Sequence, residues 1–167
     1  MTPSQRLQPW PEWATRYYWE FRNQIGRLEA ATRWLLDKAV AEQNVPRLER
    51  FLPMLEEIAR MIHLTSLELN EQRDSNKWPN WANNAHALIM SRSKRSAEKV
   101  QQARRYLDGN YWTLMELRLR DALLFSQEMR AALMEGPTPE LKEQDIFVMQ
   151  LPETMKDKDW VQKLSEN

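Results

Sequence analysis

Only three glycines interrupt this chain of 167 residues, and two of them stand where long helices would end. Gly109 follows Ala103-Arg-Arg-Tyr-Leu-Asp108, and Gly136 follows Met129-Arg-Ala-Ala-Leu-Met-Glu135. Each is predicted to close a helix as a left-handed C′ residue, a conformation glycine adopts without a Cβ penalty. The stretches between the breakers are rich in Leu, Ala, Glu, Arg, Gln and Met, the strong helix formers. So little glycine leaves no room for phosphate-cradling loops or nucleophile elbows, and the sequence contains neither motif.

The periodicity predicts four helices. The first spans about 11–43, with Pro11 in the first turn, where a missing N–H is harmless. Its core stripe is Trp10, Tyr17, Phe21, Ile25, Leu28, Leu35 and Ala39, at spacings near three and four. Asn44-Val-Pro46 breaks it. The second helix, 46–70, carries the cleanest seam of the chain: Leu48, Leu52, Leu55, Ala59, Ile62, Ser66 and Leu69. Pro53 lies inside that seam and is expected to kink or restart the helix near Leu52. A polar break follows, and the third helix, 80–107, presents an inner face of mostly small residues: Ala82, Ala85, Ile89, Ser93, Ser96, Val100, Ala103 and Leu107. The fourth spans 111–134. Helices of this length are roughly 35–50 Å long. Short connections between them favour antiparallel neighbours. The fold class is therefore mainly α, an antiparallel four-helix bundle over residues 1–136.

Beyond Gly136-Pro-Thr-Pro139 the character changes. Residues 135–167 hold eight acidic residues against four lysines, a β-prone run at Ile146–Leu151 and an apolar patch at Trp160, Val161 and Leu164. Residues 137–167 are expected to form an acidic C-terminal appendage, folded on the bundle or captured by a partner.

Composition excludes more than it suggests. The 24 basic residues balance 24 acidic ones, so bulk charge names no polyanion partner and only local patches argue for one. There is no cysteine, hence no disulfide framework. The N-terminus lacks the apolar core of a signal peptide, and no apolar run approaches a membrane span, so a cytoplasmic location without membrane contact is expected. Eight tryptophans are more than a small bundle needs inside, so some are expected at interfaces.

Metal and catalytic chemistry are poorly provided for. The only histidines are His63 and His86, preceded three residues earlier by Arg60 and Asn83 rather than by the glutamates of a di-iron bundle. His86 reads as a satisfied core or boundary histidine and His63 as exposed. Glu56 and Glu57, adjacent on a helix, do not face each other and read as solvated surface. No metal, no cofactor and no catalysis are expected. Arg118 falls among Leu114, Met115, Ala122, Phe125 and Met129 on the apolar side of the fourth helix. A charge there needs a partner, expected to be a carboxylate on a facing helix. The other reading is a ligand-lining arginine in a bundle pocket, the one route to an enzyme.

Two surfaces carry the functional expectation. Between residues 91 and 105 stand six cations, Arg92, Lys94, Arg95, Lys99, Arg104 and Arg105, against one acid, Glu98. Arg92, Arg95 and Lys99 align on one side of the third helix, with Leu88 and Tyr106 near the same line. Cations in a row with an aromatic at the end suit a phosphate backbone, DNA or RNA. The same stripe would equally suit the protein's own acidic tail or an acidic partner. On the first helix Trp19, Gly26, Ala30 and Trp34, flanked by Arg16, Arg22 and Arg33, have the composition of a protein interface. Phe147 or Trp160 of the tail would also fit there. The resulting expectation is a non-catalytic helical subunit or adaptor with protein partners in a larger assembly, plausibly a nucleoprotein complex. The alternative is a purely protein-binding module, inhibitor, antitoxin-like or chaperone-like, with no nucleic-acid contact.

Overall fold

A computed structural model describes residues 8–74 and 77–140. A 3-10 turn, Glu12–Ala14, leads into α1 (Thr15–Trp34), which widens into a π turn at Leu35–Val40. Then follow α2 (Val45–Gln72), α3 (Asn80–Asp108) and α4 (Trp112–Leu133), with no strand among the described residues. The predicted core stripes are buried in all of the first three helices.

Cross-helix contacts fix the order and direction. Tyr17, at the start of α1, donates its hydroxyl to Glu68 near the end of α2, and Trp34 at its far end meets Phe51 near the start of α2. Arg104 late in α3 pairs with Glu56 early in α2, and Arg92 early in α3 pairs with Glu128 late in α4. Arg130 closes the ring by pairing with Glu29 of α1. All neighbours are antiparallel, and the packing runs α1–α2–α3–α4–α1 around a single core.

Local sequence explains most of the boundaries. Asn44 caps α2 by accepting the Arg47 N–H at 3.1 Å, with Pro46 in the first turn. The π turn arises where Ala41 and Asn44 donate five residues back, to Leu36 and Ala39. Gln43 then reverses the chain with φ 51°. Pro53 neither ends nor restarts α2, which runs through it. A lost hydrogen bond there costs about 3 kcal/mol, and burying Leu52 and Leu55 on either side offsets it.

The glycines do not act as left-handed caps. Gly109 has φ −92°, and Asn110 takes the left-handed position at φ 59°. Asparagine tolerates that region because its short amide bonds locally. Gly136 is needed for space: a Cβ there would overlap the Trp81 indole.

That contact belongs to an aromatic cap at one end of the bundle. Trp10 lies at the centre, 5.6 Å from Tyr18, 6.0 Å from Phe21 and 5.1 Å from Trp78, edge-on or tilted to each. Trp81 donates its indole N–H to the Gln8 carbonyl at 2.8 Å. The chain after α4 folds back over this end: Pro139 is buried, and Thr138 lies 3.5 Å from both Tyr18 Oη and Arg22 Nη1. Three of the eight tryptophans, Trp10, Trp78 and Trp81, are thus core. The remainder of the appendage, including the β-prone run, Phe147 and Trp160, lies outside the described residues.

Candidate nucleic-acid interface

The six cations of α3 do not form one surface. Helical geometry divides them between the two neighbours of α3. Arg92, Arg95 and Lys99 lie along α4. Arg92 Nε meets Glu128 Oε2 at 2.6 Å, and Lys99 Nζ meets Asp121 Oδ2 at 3.7 Å. Arg95 stacks its guanidinium 4.8 Å from the Phe125 ring, with Arg92 over the same ring at 5.7 Å. The three contacts share one register, each step down α3 matched by an equal step back along α4. Arg92 and Lys99 are half-buried, and Arg95 stays exposed. The stripe expected to face a phosphate backbone is largely a seam between α3 and α4.

Lys94 lies beside Arg60, His63 and Leu64 of α2; Arg105, about three helical turns further, shares its side of α3, and both are exposed. Neither has an ion pair among the described residues. Arg104, on the same side, binds Glu56 Oε1 at 3.2 Å. Glu56 is 5% exposed, not solvated surface, and its second oxygen takes Arg60 Nη2 at 2.6 Å. Packing of α2 against α3 lifts this carboxylate out of water, and two arginines compensate it. Glu57 is half-buried.

Between α2 and α3 lies a groove of about 290 Å³. Arg60, His63 and Leu64 line it from α2. Lys94, Ala97, Glu98 and Gln101 line it from α3. His63 is half-buried rather than exposed, because its Nδ1 reaches the Met90 carbonyl at 3.1 Å across the helix pair. A carbonyl only accepts, so Nδ1 carries the hydrogen and Nε2 is the ring's free acceptor when neutral. Leu64 is 58% exposed, an apolar side chain held in water beside cations.

Arg118 finds its carboxylate on its own helix, not on a facing one. Its Nη1 lies 3.2 Å from Asp121 Oδ2, and Lys99 of α3 approaches the same oxygen. Three residues of separation bring the pair together on one face of α4, and the sharing of Asp121 makes Arg118 part of the α3–α4 seam. Its Nε is buried without a hydrogen-bond partner among the described residues.

The outer face of α1 is half-covered. Trp34 is edge-on to Phe51 at 6.0 Å with Arg47 over its ring at 5.4 Å, so α2 occupies it. Trp19 is half-buried and edge-on to Tyr18, with Arg22 5.3 Å over its ring. Gly26 between them leaves open space, and Arg33 is paired with Glu29. This face keeps its arginines but does not present two free indoles.

Two buried titratable groups fall outside these surfaces. Glu20 is buried on α1 beside Gln24, which donates to it, and near Arg27. Loss of water pushes its carboxyl up to about 7, against the opposing pull of Gln24 and Arg27. His86 is fully buried and donates Nε2–H to the Ser66 carbonyl at 2.9 Å, while Nδ1 has no partner among the described residues. Burial holds it below the usual imidazole range. No group of three potential metal ligands converges among the described residues, and none of their helices is long and apolar enough to cross a membrane.

Comparison with protein-family models, curated proteins and solved structures finds no match to this chain.

Proposed function

We propose that this protein is a non-catalytic helical subunit that contacts nucleic-acid backbone through the α2-facing side of α3. One observation carries the reading: Lys94 and Arg105 stand exposed on α3 without ion pairs among the described residues, and Lys94 lines a groove to which Arg60 and His63 also contribute. Fixed cations along a helix attract a polyanion by releasing its counterions, and each phosphate neutralised adds affinity that falls with salt. Arg95, exposed on the outer surface of the same helix, extends the positive field. Arg92 and Lys99 belong to the fold in this reading, and the tail and the outer face of α1 are left for protein partners in a larger assembly.

The test is fluorescence anisotropy with labelled single-stranded and duplex 20-mers between about 50 and 200 mM salt. Binding is expected at micromolar Kd at low salt, weakening steeply as salt rises. Lys94→Glu/Arg105→Glu should weaken it roughly 100-fold and leave the thermal midpoint unchanged. Absence of binding at 50 mM salt would refute the reading in favour of a module that docks acidic protein surfaces.

A further inference from the structure

The groove between α2 and α3 mixes groups that a bare phosphate site would not. Lys94 offers a charge unpaired among the described residues, and Arg60 the exposed half of a guanidinium that Glu56 already holds at 2.6 Å. Yet Glu98 places a carboxylate on the same wall, where it would repel a phosphate. Leu64 and Ala97 give an apolar floor, and Gln101 adds an amide with both donors and an acceptor. From this combination we infer that the groove seats one unpaired nucleotide of a single strand. The phosphate lies against Arg60 and Lys94, the sugar and base cover Leu64, and the base's exocyclic amine donates to Glu98 or Gln101.

Each part of the wall then has a reason. A base edge carries amino donors that a carboxylate accepts, as glutamate accepts from cytosine N4. Covering Leu64 removes apolar surface from water, an attraction that salt does not screen. The groove, about 290 Å³ and open on its outer side, has room for a base with its sugar. Bases in a duplex are paired and stacked, so only an unpaired one reaches such a groove. His63, with its hydrogen held by the Met90 carbonyl, presents Nε2 as an acceptor for a ribose or base donor.

This inference rests on the proposed nucleic-acid contact, and the experiment separates the two. Ala97→Trp fills the groove without changing charge, and Leu64→Asn removes its apolar floor at an exposed position, with circular dichroism melts reporting that both fold. Single-strand affinity should fall at least tenfold in each with the salt slope unchanged, while weaker duplex binding stays within twofold. Free cytidine monophosphate should compete only at concentrations far above the strand's Kd.

Equal wild-type affinity for single strand and duplex would overturn the nucleotide seat. So would single-strand binding by both groove variants at the wild-type level. A mononucleotide binding as tightly as the strand would overturn the strand as the source. In these three cases the backbone contact survives if Lys94→Glu/Arg105→Glu still weakens binding roughly 100-fold. No binding by any probe at low salt would remove both proposals together.

Discussion

The two sides of α3 are built from the same residue types and end in different surroundings. Toward α4, Arg92 and Lys99 meet Glu128 and Asp121, and Arg95 lies on Phe125. Toward α2, Arg104 alone is neutralised, by a buried glutamate, while Lys94 and Arg105 stay in water. The difference lies in the neighbouring helices: α4 presents acids and a ring at matching intervals, whereas α2 presents Arg60, His63 and Leu64. A cation's role is therefore set by what the opposite helix offers, and counting charges along one helix misses it.

The largest expected effect separates the two sides directly. Lys94→Glu/Arg105→Glu places two acids where two phosphate contacts are proposed, and affinity for a single strand at 50 mM salt should fall roughly 100-fold. The salt slope should flatten by about two. Loss of binding from charge reversal at Arg92 and Lys99 alone, with the α2 side intact and the fold preserved, would invert the comparison.

The mirrored spacing behind this division is legible in the sequence. Arg92, Arg95 and Lys99 follow gaps of three and four, and Glu128, Phe125 and Asp121 repeat those gaps in reverse. Antiparallel helices bring such patterns into contact, so comparing the two helices is enough to assign the stripe to the bundle. The groove is less legible, because Arg60, His63 and Leu64 lie off the apolar seam of α2. Only the register of α2 against α3 shows that they meet Lys94. The core stripes are readable because burial imposes a period of 3.6, and the helix ends follow from Asn44, Pro46 and Pro79. The aromatic cap is not readable. Trp10, Trp78 and Trp81 enter from chain segments at or beyond helix starts, where no period links them. Gly136 has the sequence context of a backbone device, yet its need for glycine comes from Trp81, which lies 55 positions earlier.

Glu20 extends the comparison to a carboxylate whose neighbours do not fully compensate its burial. Its carboxyl rises from 4.5 to about 7 because burial outweighs Gln24 and Arg27. The folded chain thus holds this proton more tightly than the unfolded one. The stability it contributes is present in full below pH 4.5 and is lost as pH rises through about 7. Glu20→Gln stays neutral throughout, so the variant should gain about 2 kcal/mol on wild type between pH 5 and pH 8. Urea midpoints at the two pH values measure this, and parallel profiles would refute it.

On the α4 side the expected loss is smaller and falls on stability. Arg92→Gln/Lys99→Gln removes two ion pairs that are each about a third exposed, so screening limits the cost to about 1–2 kcal/mol. Strand affinity should stay within twofold. The thermal shift should shrink in high salt. A stability loss undiminished by salt would point instead to the stacking of Arg92 on Phe125.

The smallest effect is the sharpest test, since one substitution should move stability and affinity in opposite directions. Glu56 is the carboxylate that holds cations from both walls of the α2–α3 interface, with Arg60 on one oxygen and Arg104 on the other. Glu56→Gln keeps the volume and some hydrogen bonding but releases two arginines, both about half exposed, to face the groove. The freed guanidinium groups reach water readily, so the cost should be only about 1 kcal/mol. Single-strand affinity should rise roughly threefold, with a steeper salt slope from the added cations. If affinity instead falls together with stability, the Glu56–Arg60–Arg104 cluster is shaping the groove wall, and the positions of those arginines matter more than their charge.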